Sequence, residues 1–198
     1  MSGRATVPGM NGQPSAATGD PAIRLAERRD AEGIRAIYNY YVAESTALFD
    51  MVPRTLDEQV QWIDQHSGGH PAVVADVDGE IIGFGSLSRF KSRPAYSTTV
   101  EDSVYLLDGN QGRGIGRLLL TELVRLAGAH GFHAVIARIT GGNDASIRLH
   151  AACGFEVVGT EREVGRKFGR WLDVVEMQRM LQDGASGSSP PPRPLPRG

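Results

Sequence analysis

Between Ala22 and Leu181 the apolar positions fall into two periods, one of about 3.6 residues and one of two. Ile34, Ile37, Tyr38 and Tyr41 form one stripe of an amphipathic helix, with Asp30 at its N-cap position. Thr55-Leu56-Asp57-Glu58 reads as a capping box ahead of a second helix that carries Val60 and Ile63 and is ended by Gly68-Gly69. Ile115, Leu118, Leu119, Leu123 and Leu126 keep a single buried stripe through a longer helix, Ile115 to Ala129. Asp144 to Cys153 reads as a shorter helix, stopped by Gly154. Strand-like runs occupy Ala22 to Leu25, Ala72 to Val77, Glu80 to Leu87, Thr98 to Leu107, Ala134 to Ile139, Phe155 to Glu163 and Trp171 to Met180. Asp78-Gly79 joins two of them as a hairpin turn. The order predicts an α/β fold, α+β by some conventions: a single mixed, mainly antiparallel central sheet flanked by helices.

Composition limits what such a domain does. Residues 1 to 20 and 184 to 198 are rich in Gly, Ser, Ala and Pro and read as disordered tails around a single domain at 21 to 183. A net charge of −2 and a pI near 6.2 carry no basic footprint for nucleic acid. No apolar run reaches the roughly 18 residues of a membrane span, and no secretory signal opens the chain, so a cytoplasmic location is expected. With one cysteine, Cys153, and five histidines outside any ligand spacing, no metal site is expected.

The chemistry begins at Gln111-Gly112-Arg113-Gly114-Ile115-Gly116, which links a strand to a helix. Glycines there let backbone N–H groups approach an anion, the helix dipole adds about half a positive charge, and Arg113 and Arg117 add mobile charge. No Lys-Ser/Thr follows the last glycine and the dinucleotide spacing is absent, so a phosphorylated ligand other than an NTP or NAD is indicated. On the preceding strand the alternation sets Glu101, Ser103 and Tyr105 on one face and Asp102, Val104 and Leu106 on the other.

Gln111, Gly114 and Gly116 match the Q/R-x-x-G-x-G/A turn of the GNAT superfamily of N-acetyltransferases, and Asn143 followed by a helix ending in Gly154-Phe155 matches a second element. Phe90-Lys91-Ser92-Arg93-Pro94-Ala95-Tyr96, Glu101-x-Ser103-Val104-Tyr105 and Gly165-x-Lys167-Phe168-Gly169-x-Trp171-x-Asp173 resemble, more narrowly, the phosphinothricin and methionine sulfoximine or sulfone acetyltransferase group. The resemblance spans about Ile23 to Leu181. It departs at Phe90, where a Trp is expected. It implies a GNAT-like fold, acetyl-CoA as co-substrate, a small-molecule amino acid as acceptor, a homodimer, and a part in antibiotic or herbicide resistance.

The same resemblance distributes roles. Val104, Tyr105 and Leu106 would hold the pantetheine arm as a further strand, and Gln111, Gly112, Arg113, Gly114, Ile115, Gly116 and Arg117 would receive the pyrophosphate. Asn143 would cap its helix and bond the arm. Glu101 would serve as general base, the alternative being a solvated carboxylate. His150, seven residues after Asn143 where many members carry a Tyr, would act as acid or assist the base, or simply lie at a helix end. Lys91 and Arg93 would meet the acceptor carboxylate, or serve only solubility, with Phe90, Ser92, Tyr96, Glu101, Ser103 and Trp171 framing the pocket. Cys153, near a helix C-terminus where the dipole disfavours a thiolate, is rejected as a nucleophile in favour of direct transfer. Acceptors of other kinds, such as a protein N-terminus, polyamine or aminoglycoside, or a non-catalytic acyl-CoA-binding module, stay open.

Overall fold

The structure, a computed structural model, describes residues 19–181. The tails expected at 1 to 20 and 184 to 198 lie almost wholly outside them. In chain order the elements are β1 (Ala22–Leu25), α1 (Ala31–Glu44), α2 (Leu56–Gln65), β2 (Ala72–Val77), β3 (Glu80–Arg89), β4 (Thr99–Leu106), α3 (Ile115–Ala129), β5 (Ala134–Thr140), α4 (Asp144–Ala152), β6 (Glu156–Lys167) and β7 (Arg170–Met180). The strands form one seven-stranded sheet, ordered β1-β2-β3-β4-β5-β7-β6. Every neighbouring pair is antiparallel except β4 and β5, which run parallel because α3 carries the chain back between them.

Most expected elements stand where the periodicity put them, and the exceptions have physical causes. Thr55 and Glu58 close the capping box, the Thr55 hydroxyl accepting from the Glu58 N–H and the Glu58 carboxylate accepting from the Thr55 N–H at 2.7 Å. Asp30 does precede α1, yet its side chain does not cap it. Its buried carboxylate instead takes two bonds from Arg24, at 2.7 and 2.8 Å, and one from the Glu27 N–H. Helix α2 ends at Gln65 rather than at Gly68-Gly69, because His66 leaves helical geometry and its Nδ1 turns back on the Trp62 carbonyl at 2.8 Å. The Asp78-Gly79 turn is formed with both residues at positive φ, 51° and 90°.

The two faces of the sheet are covered differently. Gly83, Gly85 and Leu87 pair with Leu106, Val104 and Asp102 and lie under α3, where Leu119, Leu120 and Leu123 are fully buried. Phe84, Ser86 and Ser88 pair with Tyr105, Ser103 and Glu101 on the opposite face, where Ile34, Ile37 and Tyr38 of α1 and Ile63 of α2 pack around Phe84. The alternation expected for β4 is therefore realised, with Glu101 and Asp102 on opposite sides of the sheet.

One irregularity positions the site. Strands β4 and β5 pair only from Thr99 and Ala134 to Asp102 and Ala137, although β4 continues to Leu106 and β5 to Thr140. Beyond Asp102 the strands part and open a cleft between their inner edges.

Candidate active site

The cleft has a volume of about 350 Å³. Its walls are the diverging strands, Ser103 to Leu106 on one side and Arg138 to Thr140 on the other. Its mouth is the glycine turn, through Gln111, Gly112, Gly114, Gly116 and Arg117, and its floor is α4, through Asn143, Ser146, Leu149 and His150. Strand edges without a neighbour present free N–H and C=O groups to whatever enters. At the Leu106 carbonyl the Tyr41 hydroxyl donates a bond of 3.1 Å across the cleft wall.

The turn owes its shape to its glycines. Gly112 and Gly114 hold φ of 77° and 81°, a left-handed conformation that costs a side-chain-bearing residue about 1–2 kcal/mol. Gly114 is the N-cap of α3 and has no side chain to cap it, so the first N–H groups of the helix stay free at the cleft mouth. The first main-chain bond of the helix comes only at Leu118, to Gly114. Gly116 packs closely on α4: a Cβ there would stand 3.1 Å from Cδ2 of Leu149, which would have to give by a few tenths of an ångström. The side chains of Arg113 and Ile115 take no part in the lining. Arg113 donates to Asn110 at 2.7 Å and Ile115 is core.

On the floor, Asn143 caps α4 as expected, its amide oxygen accepting from the Ser146 N–H at 3.2 Å. His150 in the last turn is buried, and neither ring nitrogen is free. Nδ1 lies 2.8 Å from the Ser146 carbonyl, and Nε2 lies 3.0 Å from Oδ2 of Asp102. Burial pushes the imidazole down, but the Asp102 bond and charge, with the Ser146 carbonyl, outweigh it and hold His150 above the ordinary histidine range. Asp102 is the residue that the sequence reading passed over. A carboxylate on the helix-covered face of β4, between Val100 and Val104, was the available signal.

Glu101 projects from the other face, beside Ser88 across the β3 pairing and Ile136 across the β5 pairing. Burial pushes its carboxyl up; Arg138 opposes that shift, while Asp102, Glu176 and Glu161 add to it. Arg138 itself is paired with Glu161. Ser103 lines the cleft, one step along the same face from Glu101. The loop of Phe90, Lys91, Ser92, Arg93 and Tyr96 is not brought into the cleft. Phe90 and Tyr96 pack edge to face at 5.7 Å, with the Lys91 ammonium over both rings. Trp171 is also outside, 61% exposed on β7.

One buried cation braces the approach on the α1 side. The Lys167 ammonium donates to the Tyr41 carbonyl at 3.1 Å and the Leu48 carbonyl at 2.6 Å, tying the β6–β7 hairpin to the last turn of α1 and the segment after it. Among the described residues no cluster of His, Cys, Asp or Glu has the arrangement of a metal site.

Comparison with known proteins gives this geometry its family. Residues 23–175 match the model of the acetyltransferase (GNAT) domain. A phosphinothricin N-acetyltransferase of Streptomyces coelicolor is 40% identical over 168 residues, covering 83% of this chain and 98% of that protein. An L-methionine sulfoximine/L-methionine sulfone acetyltransferase of Pseudomonas paraeruginosa is 42% identical over 162 residues, covering 81% and 94%. Among solved structures, a GNAT superfamily phosphinothricin acetyltransferase from Sinorhizobium meliloti, in complex with acetyl-CoA, superposes with a TM-score of 0.80 at 38% identity, covering 87% of this chain and 95% of that one. With the family model spanning nearly all the described residues and these relatives aligned almost end to end, the chain belongs to the GNAT acetyltransferase family and is an N-acetyltransferase.

Proposed function

We propose that this enzyme transfers the acetyl group of acetyl-CoA directly to the α-amino group of a small amino acid or analogue of the phosphinothricin, methionine sulfoximine or methionine sulfone type. The observation that carries the reading is the parting of β4 from β5 at Asp102, which leaves unpaired strand edges leading to an uncapped helix N-terminus. An extended chain bearing amide groups fits the edges, and a pyrophosphate fits the N–H groups. The pantetheine arm lies along Val104, Tyr105 and Leu106, with Asn143 and Ser146 opposite. Gln111 to Arg117 receive the pyrophosphate, through backbone groups and the guanidinium of Arg117. The named activities of the relatives support the acceptor class; Lys91 and Arg93, on the β3–β4 loop outside the cleft, are the cations this reading leaves for its carboxylate.

In this reading Glu101 takes the proton of the attacking amine and His150 lies on the thioester side. Burial that raises the Glu101 carboxyl brings it nearer the working pH of a general base. A second copy of the chain covers the apolar side chains left exposed on the β6–β7 ribbon, Val157, Val158, Val164 and Trp171. In the same reading the enzyme works as a cytoplasmic homodimer that neutralises a toxic amino-acid analogue and so confers resistance. The test is CoA release from acetyl-CoA with methionine sulfone, methionine sulfoximine, phosphinothricin, polyamines and short peptides. Turnover with the first three supports the reading; turnover confined to peptides or polyamines overturns it.

A further inference from the structure

His150 entered the site with two roles open, acid or base, and its surroundings point to a third. Nδ1 faces the Ser146 carbonyl at 2.8 Å, and a carbonyl oxygen only accepts, so Nδ1 carries a hydrogen. Nε2 faces Oδ2 of Asp102 at 3.0 Å, and both side chains are almost wholly buried, 5% and 1% exposed. One proton therefore lies between Nε2 and Oδ2. An imidazole binds a proton more strongly than a carboxylate by ordinary values, about 6.5 against 3.9. The site widens that preference, because His150 occupies the last turn of α4, where the helix dipole favours a cation. The other oxygen of Asp102, Oδ1, is buried without a partner, so the imidazolium is the group that balances its charge.

We infer that Asp102 is a positioning residue that keeps His150 as an imidazolium in the wall of the thioester cleft, so that His150 presents a fixed positive charge to the departing thiolate and never takes the proton from the amine. The inference rests on the acetyl-CoA reading above and divides the chemistry between the two faces of β4. The amine nitrogen forms its bond to the thioester carbonyl carbon and the C–S bond breaks. The amine proton goes to the Glu101 carboxylate on one face, and CoA departs as the thiolate, its negative charge met on the other face by the His150 ring, whose two N–H groups stay on Ser146 and Asp102. The thiolate takes a proton from water as it leaves and Glu101 returns its proton to water, which restores the site. Around the ring stand Asp102 from β4, the Ser146 carbonyl and hydroxyl from α4, and the edge-on Phe155 ring at 5.1 Å. Among these Asp102 is the only charged group.

The experiment uses the full chain labelled with ¹⁵N-histidine, together with the pH profile of kcat, for the wild type, Asp102→Asn, His150→Gln and the double variant. Expected for the wild type are two protonated ring nitrogens at His150 at neutral pH. In Asp102→Asn the ring turns neutral at the same pH, and the alkaline limb of kcat moves to lower pH. There kcat falls about 10²-fold, near the lower end of what one preorganised stabiliser of developing charge contributes, while the acetyl-CoA KM stays within about threefold. His150→Gln loses a similar factor, and the double variant loses no more than the larger single loss. A neutral His150 ring in the wild type at pH 7, or an unchanged alkaline limb in Asp102→Asn, overturns the inference. Should Asp102→Asn fail to fold, the wild-type ring spectrum still decides. Should no small amino acid release CoA, the acceptor reading fails while the spectrum still reports the proton.

Discussion

Replacing Gly85 by Ala tests how tightly the sheet and α3 fix the cleft. A Cβ at Gly85 would lie 2.8 Å from Cδ1 of Leu123, 2.9 Å from the Ser103 carbonyl oxygen and 3.3 Å from Cγ2 of Val104. Unstrained carbon pairs sit at about 3.5–4.0 Å, so each neighbour has to give way. Leu123 is fully buried and cannot swing out, and the Ser103 oxygen belongs to the backbone of β4. Overpacking of this kind costs about 1–3 kcal/mol, against which the alanine recovers about 0.5–1 kcal/mol of chain entropy in the unfolded state. At the middle of those ranges the net loss is about 1.25 kcal/mol, or a fall in Tm of roughly 2.5–5 °C for a domain this size. Thermal unfolding without ligand measures it, with Gly128→Ala as the control. Gly128 lies on exposed helix with nothing within 4 Å of its added Cβ, so that change raises Tm slightly. Because Ser103 and Val104 also line the cleft, Gly85→Ala should weaken acetyl-CoA binding as well. An unchanged or higher Tm in Gly85→Ala would refute the close contact of β3, β4 and α3 on which the cleft geometry rests.

Three further predictions concern the chemistry. Gly114→Val forces a β-branched residue to φ of 81° at the mouth of the cleft, so the acetyl-CoA KM should rise at least tenfold with kcat within about threefold, and steady-state kinetics showing an unchanged KM would remove the turn from the site. Glu101→Gln should lower kcat by about 10²–10⁴-fold and leave CoA affinity in place, as read by calorimetry, while near-normal turnover would remove the base. Burial raises the Glu101 carboxyl, so it stays protonated, and unable to accept, to a higher pH than an ordinary carboxyl. The acid limb of kcat/KM should lie correspondingly high, and Arg138→Gln, which removes the cation opposing that rise, should move it higher still. A limb that moves down in Arg138→Gln contradicts the assignment.

What was legible in the sequence was local. The stripe through Ile115, Leu119 and Leu123, from which Leu118 departs by facing solvent at 47% exposure, the Thr55–Glu58 box, the Asp78-Gly79 hairpin and the glycine turn each depend on residues within a few positions of one another, and each formed. What was missed depended on distant partners. Asp30 sits at its cap position, but Arg24 on β1, itself held by Asp76 on β2, captures the carboxylate before it can cap α1. Strand β6 runs past Glu163 to Lys167, where alternation is silent because nearly all its side chains face solvent. Glu163 takes a φ of 49° in the bulged stretch, and the Asp173 carboxylate accepts its N–H at 2.8 Å. The pairing of Asp102 with His150 spans 48 residues and required the fold.

That pairing also explains why the cleft opens where it does. Asp102 and Ala137 are the last residues of β4 and β5 to face each other in register, and the Asp102 side chain is bonded to His150 on α4, the helix that follows β5. The closed end of the cleft is thus fastened by the same carboxylate that governs the proton of His150. From Asp102 to Leu106 the free edge of β4 runs for roughly 13 Å, at about 3.3 Å per residue, toward the N–H groups at the start of α3. A ligand anchored by its anion at the glycine turn and laid along that edge has its far end at the fork, between Glu101 on one face and His150 on the other. The distance between anchor and chemistry is set by how far β4 continues after its pairing with β5 stops. The anion site can therefore tune affinity independently of the groups at the fork.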